Sequence, residues 1–299
     1  MTGTAAFTFG FDASVQLGDF VVRWQTLGVA VAVLAGLAWC ALIAGRTPAF
    51  DTWIGQRADG SDGSGGVWHM RRDDLLFIVL GVLPGAVVLG RVGYGLLHAD
   101  WYAPDWRQLL DPSTGSVELT GAVAGGALTG IYVAALLDAP VARWLHVAIR
   151  PLLLTLALGK AAAVLGGDGQ GLLQVNGGFA TAYAGAGPWG SAGAALPAIP
   201  SQLLEAGMAV AVLVLVTLLG WRTGLRRADG RLFAVGLAAW ALGRALVATT
   251  WRDEAVLGPL KGEQLISLAV AAVAAGAALA ATLVIRRRGR PGVALPALS

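Results

Sequence analysis

The chain has 299 residues, of which 56% are hydrophobic, only 13% are charged and 43 are glycine. Its mean hydropathy is +0.68, which excludes an ordinary soluble domain and leaves a polytopic membrane protein. A net charge of +3 and a pI of 9.4 would suit a nucleic-acid partner, but the basic residues sit in short segments between apolar runs, where membrane orientation explains them.

The first residues carry no basic stretch ahead of an apolar one, so no cleavable signal peptide is expected. A helix crosses a bilayer core with ~20 apolar residues. Runs of that length at Phe20–Ala44, Leu75–Leu97, Val117–Leu137, His146–Leu165, Gln202–Trp221, Leu232–Thr250 and Leu265–Ile285 predict an all-α integral membrane protein of seven transmembrane helices, in a single membrane domain over 1–299. Cys40, the one cysteine, falls inside the first run and reads as a small packed residue, with neither a disulfide framework nor a zinc-ligand set. The tract DGSDGSGG makes 45–74 a flexible loop. The segment 166–199 has no Lys or Arg and is rich in Gly, Ala and Pro; it is either a lid or a plain connector. Its opening GGDGQG has the look of a phosphate-cradling loop but follows a helix rather than a strand. Residues 286–299 form a basic tail. The spacings Gly121–Gly125 and Gly126–Gly130 predict close helix packing, within one chain or between chains.

Orientation follows from the basic residues. Arg46, Arg57, Arg71 and Arg72, then Arg143 and Arg150, then Arg222, Arg226, Arg227 and Arg231, and finally the tail arginines mark one side. The alternate segments hold Arg107, Arg252 and Lys261 alone. The positive-inside rule puts the amino terminus outside and the carboxyl terminus in the cytoplasm. Four cations remain: Arg23, Arg91, Lys160 and Arg244. Each lies within one or two turns of the outer end of its own helix. An intramembrane Arg costs at least roughly 2.5 kcal/mol on insertion scales unless it meets a counter-charge, a polar cavity or a headgroup. Glu205, Asp168, Asp19 and Glu118 are the acids at that level. An excess of positive charge in a partly dry pocket would take an anion, and the anion a membrane supplies is a lipid phosphate. The alternative is that each cation snorkels separately to the headgroups.

Several stretches, taken in order, resemble the prolipoprotein diacylglyceryl transferases of bacterial inner membranes: LGDFVVRWQTLG at 17–28, LGRVGYGLL at 89–97, GGDGQG at 166–171 and, most specifically, IPSQLLE at 199–205. Gly159-Lys160 falls where that family has Gly-Arg. The likeness spans about 17–285. It implies transfer of a diacylglyceryl group from phosphatidylglycerol to the lipobox cysteine thiol of a secreted prolipoprotein, with release of glycerol phosphate. No cofactor, metal or nucleic acid is implied, and the location is the bacterial inner (plasma) membrane. It also implies Arg91 and Lys160 as phosphate contacts, Arg244 more loosely, and Gln202 and Glu205 as shaping residues. Asp168 and Gly171 fall where the family has Glu and Gly, and Arg23 lies in the similar first stretch. Several positions depart from the family pattern. The family's His falls on Thr120 and its first-helix Tyr on Gln25, so neither usual proton-transfer group is present. Lys160 keeps charge without the bidentate fork of Arg. Ala163, Ile199 and Ala248 stand where the family has Asn, His and Glu. His98 lies on the outer side and is either a substitute base or a solvated interfacial residue. Three readings follow: a transferase with an altered site, a homologue that binds phospholipid or precursor without turnover, or a small-anion or proton transporter. The transporter is the poorest, for want of paired broken helices and intramembrane carboxylates.

Overall fold

The computed structural model describes residues 6–48, 70–111, 114–174, 178–222, 225 and 228–288; the glycine-rich tract at 59–66 and the tail beyond 288 lie outside them. Seven long apolar helices form a bundle: α1 (Trp24–Ala44), α2 (Arg72–Leu97), α3 (Leu119–Leu136), α4 (Val141–Ala163), α5 (Ser201–Arg222), α6 (Arg231–Val247) and α7 (Gly262–Arg288). Each of the seven is long and apolar enough to span a membrane. The surface is the inverse of a soluble protein's: Leu76, Phe77, Leu80, Leu83 and Val87 of α2 are exposed, whereas Gly85, Gly90 and Gly93 are buried. The protein is therefore a multi-pass membrane protein.

Small residues decide which helices pair. A Cβ on Gly85 would lie 2.3 Å from the Gly125 carbonyl oxygen, and one on Gly125 would lie 2.1 Å from that of Gly85. The backbones of α2 and α3 thus touch, and the glycine spacings on α3 serve packing inside one chain. Gly28 and Gly36 bring α1 onto Ala162 and Thr155 of α4 in the same way. An apolar core of Ile149, Leu153, Val212, Val216, Leu232, Leu237 and Trp240 joins α4, α5 and α6, with Ala271 and Ala274 of α7. By contrast α1 and α2 scarcely touch. Between the α1–α4 and α2–α3 pairs lies an apolar cavity of about 380 Å³, lined by Val33, Cys40, Ile78, Val82, Gly126, Trp144 and Thr155 among others.

The helix ends differ from the sequence reading in informative places. Phe20–Arg23 is not the start of α1 but strand β3, which pairs antiparallel with β2 (Ser14–Leu17) around Gly18 at φ 63°. The fourth helix begins at Val141, five residues ahead of the predicted run, so Arg143 too stands on α4 rather than in a preceding loop. Pro140 at its N-cap places the start, since proline blocks helix on its own N-terminal side. The segment 166–199 is neither a loose connector nor unstructured: β4 (Ala180–Tyr183) is fully buried and pairs in parallel with β1 (Ala6–Phe9). Thr181 further exchanges two backbone hydrogen bonds with Ala198. With the hairpin β5 (Ala255–Leu257) and β6 (Leu260–Lys261), these strands cover one end of the bundle.

Candidate functional site

At the strand-bearing end, α4 and α6 carry Lys160 and Arg244 in their last turns, while α3, α5 and α7 each carry a glutamate at or near their start. Glu118 is the N-cap of α3 and accepts from the backbone N–H of Thr120 at 2.8 Å and from that of Gly121. Glu205 lies in the first turns of α5, and Glu263 is the second residue of α7. Arg244, on the last turn of α6 and 3% exposed, meets all three. Its Nη1 donates to Glu205 Oε2 at 2.8 Å, and its Nη2 lies 3.6 Å from Glu118 Oε1 and 3.6 Å from Glu263 Oε2. Its Nε donates to Thr120 Oγ1 at 3.0 Å, and its guanidinium stacks 4.6 Å from the Trp251 ring centre. Thr120, wholly buried, is itself bonded to Ser267 Oγ of α7 at 3.0 Å. Lys160 Nζ reaches the same Glu205 oxygen at 2.6 Å from α4.

These groups wall a polar cavity of about 370 Å³ whose lining includes Lys160, Gly169, Gln170, Glu205, Arg244, Trp251, Arg252, Asp253 and Glu263. Its lining residue Leu119 stands one turn from Ala122 and Val123, which line the apolar cavity, so the two spaces follow one another along α3. The cavity does not hold the surplus of positive charge expected from the cations. Lys160, Arg244 and Arg252 face Glu205, Glu263 and Asp253, with Glu118 behind. The cations needed carboxylates to be tolerated at this depth, and each odd-numbered helix after α1 supplies one.

The residues singled out by sequence fall into three sets. Lys160, Glu205, Arg244 and Thr120 come together, Thr120 touching Arg244 rather than lining the cavity. A second set lies around the turn after α4. Arg23 pairs with Asp168 at 3.6 Å and donates to the Pro188 carbonyl. Gln25 lies against Gly166, and Gln202 Nε2 donates to the Tyr183 hydroxyl at 3.3 Å. Gly171 packs where a Cβ would stand 2.2 Å from both Ser201 Oγ and the Thr250 oxygen. The Tyr183 hydroxyl is pushed up to about 12 by burial, so it stays a neutral donor to the Val164 carbonyl. Arg91 forms the third set alone and does not converge with Lys160 and Arg244. Its guanidinium donates to the carbonyls of Gln108, Leu109, Asp111, Thr114 and Ser116, clamping the loop that follows α2. In GGDGQG the amides of Gly166 and Gly167 donate to the carbonyls of Ala163 and Val164 and close the C-terminal turn of α4, while that of Gly171 donates to the Ile199 carbonyl. His98 is stacked 4.1 Å from Tyr94 and is not among the cavity-lining residues.

Sequence reading missed Glu263, Trp251, Arg252 and Ser267. The signal for Glu263 was present: it opens the seventh helix as Glu205 opens the fifth, at the level where the unpaired cations end theirs.

Residues 12–281 match the family model described as prolipoprotein diacylglyceryl transferase. Similar proteins include the phosphatidylglycerol–prolipoprotein diacylglyceryl transferases of Paramagnetospirillum magneticum, 26% identical with 88% of each chain covered, and of a Nostoc species, 26% identical with 96% of this chain and 94% of the relative covered. That of Clostridioides difficile is 22% identical over 67% of this chain and 75% of its own. The chain belongs to the prolipoprotein diacylglyceryl transferase family.

Proposed function

We propose that this protein transfers a diacylglyceryl group from phosphatidylglycerol to the lipobox cysteine thiol of a secreted prolipoprotein, in a bacterial inner membrane with the strand-bearing end outside. One observation carries the reading: a polar cavity holding Lys160, Arg244 and Arg252 adjoins an apolar cavity between α1 and α2 that is free of charged residues. A phospholipid needs both, a polar place for its phosphate and an apolar one for its chains. The names of the relatives and the family match point to the same donor and acceptor. The distribution of basic residues supports the orientation.

In the reaction the acceptor sulfur forms a bond to the glyceryl methylene as the C–O bond to phosphate breaks. The bonding pair leaves with glycerol phosphate, and the thiol proton goes to a base. Two cations present donors to the cavity for that phosphate. Lys160 has three N–H groups and uses one on Glu205, and Arg252 uses its Nε on the Gln170 carbonyl. Arg244, fixed by Glu205, Thr120 and Trp251, gives the cavity a rigid positive wall that does not reorganise as charge moves to the leaving group.

A second reading, a homologue that holds lipid or precursor without turnover, is favoured by Thr120 and Gln25 at the family's His and Tyr positions. Purified protein in vesicles containing phosphatidylglycerol, given a lipobox peptide, separates the two. Thioether-linked peptide with an equal yield of glycerol phosphate supports transfer; lipid retention without product supports binding alone. Growth of a host depleted of its own transferase gives the same answer in cells.

A further inference from the structure

The family's histidine position is Thr120, whose hydroxyl is committed to Arg244 and Ser267, so the thiol proton needs another acceptor. Three glutamates surround Arg244, and their oxygens are not equally engaged. Glu205 Oε2 holds both Lys160 and Arg244. Both oxygens of Glu118 cap α3, and that side chain is wholly buried. Glu263 alone combines a place on the cavity wall, a side chain 24% exposed, and a single long contact of 3.6 Å to Arg244 Nη2 through Oε2. Its Oε1 has no hydrogen-bond partner among the described residues. It is also fixed in place, on the first turn of α7 beside Gln264, which ties that helix to α6 through the Ala245 carbonyl.

We propose that Glu263 is the general base of the reaction, taking over at the start of α7 the role vacated at position 120 on α3. The inference rests on the transferase reading above. The proton passes from the acceptor thiol to Glu263 Oε1, the sulfur forms its bond to the glyceryl methylene, and the C–O electron pair leaves on glycerol phosphate. Protonated Glu263 then returns its proton to the departing phosphate or to water, which restores the site. The charged groups facing Glu263 are Arg244 of α6, Glu118 of α3, Glu205 of α5, Lys160 of α4, and Arg252 and Asp253 of the loop after α6. Glu205 also lines the cavity from a helix, but its carboxylate is held by both Lys160 and Arg244, and Asp253 stands on the loop after α6 rather than on a helix.

The test is transfer kinetics in phosphatidylglycerol vesicles across pH, for wild type, Glu263→Gln and Glu263→Asp. A lost general base lowers kcat by about 100- to 10,000-fold. Glu263→Gln is expected to show such a loss with KM for the lipid unchanged, and Glu263→Asp to retain part of the rate. The deficit of Glu263→Gln should also narrow as pH approaches that of free cysteine ionisation, about 8.5, where the thiol deprotonates unaided. A variant damaged only in structure would show no such recovery. Thr120→His added to Glu263→Gln should restore turnover, with an acid limb near the imidazole value of about 6.5. Glu263→Gln turning over like wild type, or losing activity equally at all pH, overturns the assignment while leaving the transferase reading intact. Wild-type protein that forms no product overturns that reading, and this inference with it.

Discussion

Replacing Arg244 by Met tests whether the cavity is built around one cation. The substitution keeps length and apolar volume but removes the partner shared by Glu118, Glu205 and Glu263. Breaking a buried ion pair by deleting one member costs about 3–5 kcal/mol, because a charge is left uncompensated. Glu205 retains Lys160 at 2.6 Å, so the stranded groups are Glu118 and Glu263, and the lower end of that range applies. Loss of the Thr120 bond adds about 1 kcal/mol. A total of about 4 kcal/mol is nearly a thousandfold in the folding equilibrium, since each 1.4 kcal/mol is tenfold. In a chain of this size it lowers Tm on the order of 10 °C, which tryptophan fluorescence in detergent micelles can follow. Adding Glu118→Gln to Arg244→Met should recover part of the loss, because it removes the most buried stranded charge. Arg244→Met melting within about 1 °C of wild type, or no recovery in the double variant, would refute the reasoning.

Arg91→Met should speed hydrogen exchange at the amides of Gln108, Leu109, Thr114 and Ser116 while leaving the affinity for phosphatidylglycerol close to that of wild type, because its donors are spent on backbone carbonyls; a loss of lipid affinity with unchanged exchange would contradict this. Gly125→Ala pushes a Cβ to 2.1 Å from the Gly85 oxygen and should destabilise by about 1–3 kcal/mol, read from the same melts. The Tyr183 phenol, held neutral up to about 12, should be missing from the phenolate difference absorbance that ordinary tyrosines give near pH 10, with Tyr183→Phe as the reference. Because its folded value is raised, the stability it contributes is intact below about pH 10 and lost as pH climbs toward 12.

Helix existence was legible because spanning a bilayer imposes a length and an apolarity that local sequence must carry. Helix ends were less so: Phe20–Arg23 and Val141–Leu145 are as apolar as their neighbours, and what separates strand from helix there is the β2 partner and Pro140. The pairing of Lys160 and Arg244 on Glu205 could be anticipated from their shared depth. Arg91 shares the same sequence depth and still points elsewhere, because depth fixes height along a helix and not the direction the side chain takes around it. The carbonyls that capture Arg91 belong to a single 3-10 turn over Trp106–Leu110 and to the residues after it, a stretch too short to show a periodicity in sequence. The surplus of carboxylates went unseen because Glu263 sits in a polar stretch between two apolar runs, where a charge usually signifies solvent.

The parallel pairing of β1 with β4 sets an order on biogenesis. Ala6 emerges from the ribosome early, but its partner Ala180 follows only after about 170 more residues, including four membrane spans. At translation speeds of about 5–20 residues per second, that is a wait on the order of ten to thirty seconds with an apolar strand unpaired. A parallel pair offers no local hairpin to fill the gap, so β1 stays without its sheet partner until α4 and the segment after it have been made.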